Sequence, residues 1–120
     1  MKIAVTSSGR TLESPVDPRF GRAAFFVVVD TDTGAFAAHD NAQNLNAAQG
    51  AGIQAAQTVS RLGAEAVLTG HCGPKAFRTL GAAGIKVVIG AKGTVAEAVE
   101  AFKKGELKAA DSADVEGHWA

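Results

Sequence analysis

The run Phe25-Phe26-Val27-Val28-Val29 constrains this chain more than any other stretch, because it has no polar side to turn toward water. β-Branched and aromatic residues favour extended backbone, and a strand that is apolar on both sides has to be covered on both sides. The run is therefore expected to be a central strand with packed layers above and below it. Lys2 to Thr6 reads as a strand upstream, and Asp32-Thr33-Gly34 as a turn from which Ala35 to Asp40 returns to complete a hairpin. Downstream the pattern becomes helix over 51–62, strand over 64–68, helix over 74–82, strand over 85–89 and helix over 95–104. Gly63, Gly84 and Gly105 follow these helices as C-terminal caps. Thr94 and Glu97 make a capping box, and Val95, Ala98, Val99 and Phe102 fall on one face of the last helix. A hairpin followed by βαβ units implies an α/β domain with a mixed sheet flanked by three helices. The right-handed crossover rule then brings the strand ends near Thr6 and Thr69 to one edge of the sheet, where open α/β folds bind ligands.

Composition bounds the rest. A chain of 120 residues, 47% hydrophobic and 20% charged, can bury a core as one folded domain. The formal net charge is zero and tyrosine is absent, which gives neither the basic stripe nor the stacking platform of a nucleic-acid partner. No apolar run reaches the length of a membrane span, and neither a signal-peptide core nor a lipidation signal is visible. With one cysteine no internal disulfide can form, so a reduced, cytoplasmic protein is expected. Asp111, Asp114 and Glu116 close the chain with no lysine or arginine after Lys108, which divides it into a domain over 1–110 and a frayed acidic tail over 111–120.

Three segments carry chemistry. Thr69-Gly70-His71-Cys72-Gly73-Pro74-Lys75 places the lone thiol and a histidine where a strand gives way to a helix. Glycines there allow close backbone approach, Pro74 suits the first helical position, and the unpaired N–H groups of a helix start favour an anion. The long loop over 7–22 holds Arg10 and the segment Arg19-Phe20-Gly21-Arg22, whose guanidinium groups could clamp an oxo or thio anion; they could equally be surface groups paired with Asp17 and Glu13. Finally, Gly50-Ala51-Gly52-Ile53-Gln54-Ala55 matches the glycine pattern of dinucleotide sites. It does not follow a strand by a tight turn, because the polar loop over 40–46, with Asn44, intervenes, so it is read as a further set of donors for an anion. A thiol enzyme would need a base facing Cys72, zinc would need four ligands at recognisable spacing, and an iron-sulfur cluster would need more thiolates than the chain contains. What remains is capture of a preformed anion, with phosphate or a nucleotide bound by a sensing or regulatory module as one possibility.

Val16-Asp17-Pro18-Arg19-Phe20-Gly21-Arg22, the stretch over 41–57 and Thr69 through Phe77 together resemble the dinitrogenase iron-molybdenum cofactor-binding family, and the match covers most of the chain. Within that family the chain looks most like small members that hold a molybdenum-copper-sulfide cluster without covalent attachment. The resemblance implies a ribonuclease-H-like fold with a mixed five-stranded sheet, and carriage or assembly of metal-sulfur clusters rather than catalysis. It implies a molybdenum-copper-sulfide cluster as ligand, with an iron-molybdenum-sulfur cluster or precursor as the alternative. Cluster-donor or acceptor proteins are its implied partners, and a monomer is expected. The residues placed toward the ligand are Arg10, Arg19, Phe20, Gly21, Arg22, Asn44, Gly50, Gly52, His71, Cys72, Gly73, Pro74 and Lys75, none of them as a direct metal ligand.

Overall fold

The computed structural model describes residues 1–41, 51–107 and 109–110. Asn44, Gly50 and the acidic tail, all singled out above, lie outside the described residues. Five strands, β1 (Lys2–Ser7), β2 (Phe25–Asp30), β3 (Phe36–Asp40), β4 (Ala66–Leu68) and β5 (Lys86–Val88), form one sheet in the order β3-β2-β1-β4-β5. Strand β2 runs antiparallel to both β1 and β3, whereas β4 lies parallel to β1 and β5 parallel to β4. The helices are α1 (Ala51–Arg61), α2 (Pro74–Ala82) and α3 (Val95–Lys103).

Strand alternation explains the two layers of core. Phe26 and Val28 of β2, with Ala4 and Val67, face a cluster completed by Ala55, Ala56 and Val59 of α1 and Ala76 and Leu80 of α2. Val27 and Val29 face the other way with Ile3, Val5, Ala66 and Leu68, against Val95, Ala98 and Val99 of α3. The apolar run that opens β2 is thus covered on both sides, as a strand without a polar face must be.

Helix ends follow local chemistry. Gly63, Gly84 and Gly105 take φ of 79°, 76° and 77°, the left-handed conformation that costs glycine no steric penalty. At the start of α3 the Thr94 side chain accepts from the Glu97 N–H at 3.1 Å while the Glu97 carboxylate accepts from the Thr94 N–H at 2.9 Å. Strands β4 and β5 are shorter than the apolar runs that announce them. The N–H of Ala64 bonds back to the Val59 carbonyl and that of Ile85 to the Leu80 carbonyl, so both residues belong to helix terminations rather than to the ladder.

The loop from Ser8 to Ala24 is anchored along its length rather than left open to solvent. The N–H groups of Val95 and Ala96 donate to the carbonyls of Ser14 and Leu12, and the N–H of Val16 donates to Gly93. The first turn of α3 therefore spends its unpaired donors on this loop.

A cation-lined edge of the sheet

Because β1 and β4 are parallel neighbours, their C-terminal ends meet at the same edge, as the crossover rule requires. Thr6 and Thr69 are fully buried there, with their hydroxyl oxygens 2.9 Å apart, and the Thr6 hydroxyl also lies 2.7 Å from the Asp17 carbonyl. The Asp17 N–H in turn donates to the Thr6 carbonyl at 2.9 Å. The loop after β1 thus folds back over the strand end that produced it.

It then pairs with the loop after β4. The His71 N–H donates to the Pro18 carbonyl at 2.7 Å and the Phe20 N–H to the His71 carbonyl at 3.3 Å, a one-residue parallel bridge between Arg19 and His71. Gly70 makes this crossing possible: a Cβ on it would stand 2.7 Å from the Pro18 Cα and 2.9 Å from the Pro18 carbonyl oxygen. Two loops distant in sequence are therefore stitched into one surface three residues before α2 begins.

The cations gather at this edge. Arg10 stacks its guanidinium over the Phe25 ring, 4.6 Å from the centroid, and Phe25 opens β2 opposite Ser7 and Asp40. Such stacking holds the charge in place by attraction to the ring face. Arg22 is half-buried just before β2, and the His71 side chain is half-buried beside the bridge. Helix α2 starts at Gly73 with extended backbone, φ −78° and ψ 170°, with no side chain among the described residues capping it and with Pro74 in its first turn. Its start contrasts with that of α3, whose donors are already engaged, and it offers positive potential at the same edge. Lys75 is exposed on its first turn, and Gly52 is buried in the first turn of α1.

Several expected contacts take a different form. Phe20 is fully buried against Phe26, ring centroids 5.9 Å apart, so its side chain anchors the loop to the core. Gly21 is buried beside it. Cys72 is also fully buried, in the cluster with Ala76 and Leu80, its thiol 3.7 Å from the Gly73 carbonyl. Adjacent residues project to opposite sides, so the turn that leaves His71 half-exposed sends the thiol inward. Arg19 is paired: its Nε lies 3.5 Å from Asp17 Oδ1, with the arginine side chain 49% exposed and the aspartate 10%. Asp17, which in sequence reads only as a surface partner, is buried, and the Arg19 N–H donates to the same oxygen at 2.9 Å, the turn that the pattern Asp17-Pro18-Arg19 favours. Asn41, which in sequence reads only as part of a polar loop, is a clamp: its amide donates to the Ala23 carbonyl at 2.7 Å and pins the exit of β3.

Surface grooves lie elsewhere. One of about 340 Å³ is lined by Lys2, Val28, Asp30, Phe36, His39 and Leu62, and one of about 460 Å³ lies between α1 and α2 around Gln57, Arg61 and Thr79. Neither includes a candidate residue. Among the described residues no three His, Cys, Asp or Glu side chains group as metal ligands.

Fold and site together define a small α/β protein whose loops gather cations and one uncapped helix start at a single edge of a mixed sheet. The sequence profile described as "Dinitrogenase iron-molybdenum cofactor" matches residues 1–105, and the chain belongs to that family. The chain is similar to the apo form of the orange protein from Desulfovibrio gigas, at 48% identity and a TM-score of 0.93 over 95% of this chain and 96% of that one. It is similar as well to a candidate NifB protein from Thermotoga, at 36% identity and a TM-score of 0.83 over 97% and 98% of the two chains. An uncharacterised protein of Methanocaldococcus jannaschii is 27% identical over 110 residues, 90% of each chain.

Proposed function

We propose that this protein binds and carries an anionic metal-sulfur cluster without covalent attachment, and that the cluster is a molybdenum-copper sulfide. The observation that carries this reading is the convergence of Arg10, Arg19, Arg22 and His71 with the uncapped start of α2 at one sheet edge. Such donors recognise negative charge and shape rather than a bare metal ion. The thiol that could have bonded directly is inside the core, which favours non-covalent capture over ligation and disfavours a thiol enzyme, whose nucleophile must reach its substrate. The similarity to the orange protein supports the choice of cluster, and the strand order supports grouping the fold with ribonuclease-H-like proteins. The family match over residues 1–105 supports a domain that ends near residue 110. The anions of this class come from cluster-donor proteins and pass to acceptors, and the carrier acts as a monomer.

The test is reconstitution of the apoprotein with tetrathiomolybdate and copper, followed by desalting. Visible absorption and molybdenum with copper should stay with the protein. A spectrum identical to that of the reagents alone, with both metals lost on the column, would overturn the cluster reading. Retention of inorganic phosphate or a nucleotide by the same colourless protein would replace it with an anion-sensing role.

A further inference from the structure

We propose that Asp17 is a specificity-setting positioning residue, whose carboxylate holds Arg19 through Nε and offsets its charge, so that an incoming anion competes with it for the guanidinium. The inference rests on the cluster site proposed above and adds a residue that sets how much charge a ligand must bring. Asp17 cannot move with its partner. Its backbone is hydrogen-bonded through both its N–H and its carbonyl to Thr6, whose hydroxyl meets Thr69 in the buried seam between β1 and β4. Arg19 is held differently: its side chain is half-exposed and touches Asp17 only through Nε, at 3.5 Å. Among the described residues its terminal guanidinium nitrogens make no hydrogen bond.

One oxygen, Asp17 Oδ1, accepts from both the backbone N–H and the Nε of Arg19. The backbone bond shapes the turn that leads into the bridge with His71, and the side-chain pair neutralises the nearest cation of the edge. The pair is a single long contact, half-exposed on the arginine side, so a ligand of several negative charges outweighs the Asp17 carboxylate in two-pronged, charge-assisted bonds more readily than a single-charged anion does. The pair thus acts as a threshold. Asp17→Asn separates the two roles, because the amide oxygen still accepts the Arg19 N–H while the charge is gone.

Retention of the tetrathiomolybdate-copper product should be measured against salt for four proteins: the unaltered protein, Asp17→Asn, Arg19→Gln and the double variant. Asp17→Asn should bind about two- to fivefold more tightly, the range an exposed ion pair can withhold, and the gain should vanish when Arg19 is also changed. A gain of equal size in the Arg19→Gln background, or no gain in a folded Asp17→Asn protein, would overturn the inference while leaving the cluster reading intact. A second measurement stands apart from the cluster: the ¹⁵N NMR signal of the Arg19 Nε–H in the apoprotein, titrated with inorganic sulfate. It should shift on removing the Asp17 charge and respond to sulfate at lower concentration in Asp17→Asn than in the unaltered protein. If the cluster is not retained by any variant, the proposed function fails, and this titration still decides the role of Asp17. An Arg19 signal that neither Asp17→Asn nor sulfate moves would refute it.

Discussion

At Cys72 the chain offers a soft ligand and the fold withdraws it, since the thiol lies fully buried among Ala76 and Leu80. Cys72→Ala should therefore cost about 1 kcal/mol of stability for the lost apolar volume and leave cluster retention unchanged. Reconstitution of the variant checks this, and complete loss of cluster from a folded Cys72→Ala protein would make the thiol a ligand. In the native protein the thiol should react with an aromatic disulfide reagent far more slowly than in denaturant. Phe20 illustrates the same rule from the other side. It stands between Arg19 and Gly21 in the family motif, yet its ring is a core residue, and its neighbours are positioned because that ring is anchored. Residue identity announced the chemistry available at these positions. It could not announce direction, because in an irregular loop no periodicity says which side chain points inward.

Among the elements, α3 and α2 differ in what their first turns do. The capping box of Thr94 and Glu97 and the loop carbonyls of Leu12 and Ser14 engage α3, whereas no side chain among the described residues caps α2. Thr94→Ala should lower stability by about 1 kcal/mol in denaturant titration. Cluster retention should be unaffected, because the backbone bonds from Val95 and Ala96 still hold the loop; failed retention in the folded variant would place Thr94 in the site rather than the scaffold. The β2–β3 turn carries a pH signature. Asp30 is held below its ordinary value of 3.8, chiefly because its carboxylate accepts the Asp32 N–H at 2.9 Å, helped by the Thr33 backbone. A carboxyl with a lowered folded value stabilises the fold above its ordinary value, and that stabilisation is lost as pH falls through the folded one. Thermal melts from pH 6 to pH 2 should therefore fall more steeply for the unaltered protein than for Asp30→Asn, whose amide keeps an acceptor but does not titrate. Parallel curves for the two proteins would remove Asp30 from the account of acid stability.

For the whole molecule the question is where charge is placed, since the formal sum is zero. If the edge of β1 and β4 is the anion site, Arg19→Gln with Arg22→Gln should abolish cluster retention and flatten its salt dependence, because hydrogen bonds to charged groups contribute about 1.5 to 3 kcal/mol each. Lys103→Gln with Lys104→Gln supplies the comparison. Both lysines are exposed at the end of α3, Lys103 within 3.6 Å of Glu100, and their loss should leave retention as it was. Equal retention in the two folded double variants would move the site away from this edge. The sequence by itself determined the elements and their layering. The all-apolar run of β2 demanded cover on both faces, glycines marked the helix ends, and the capping box marked the start of α3, because each of these signals acts over a few neighbouring residues. It also offered the residue types from which an anion site can be built. Only the tertiary structure decided their arrangement: that the loop after β1 crosses Gly70 to pair Arg19 with His71, that Asp17 sits buried beneath Arg19, and that Cys72 turns inward. Those outcomes depend on contacts between segments some fifty residues apart, at distances such as the 2.7 Å from the His71 N–H to the Pro18 carbonyl, and no local pattern of residues encodes them.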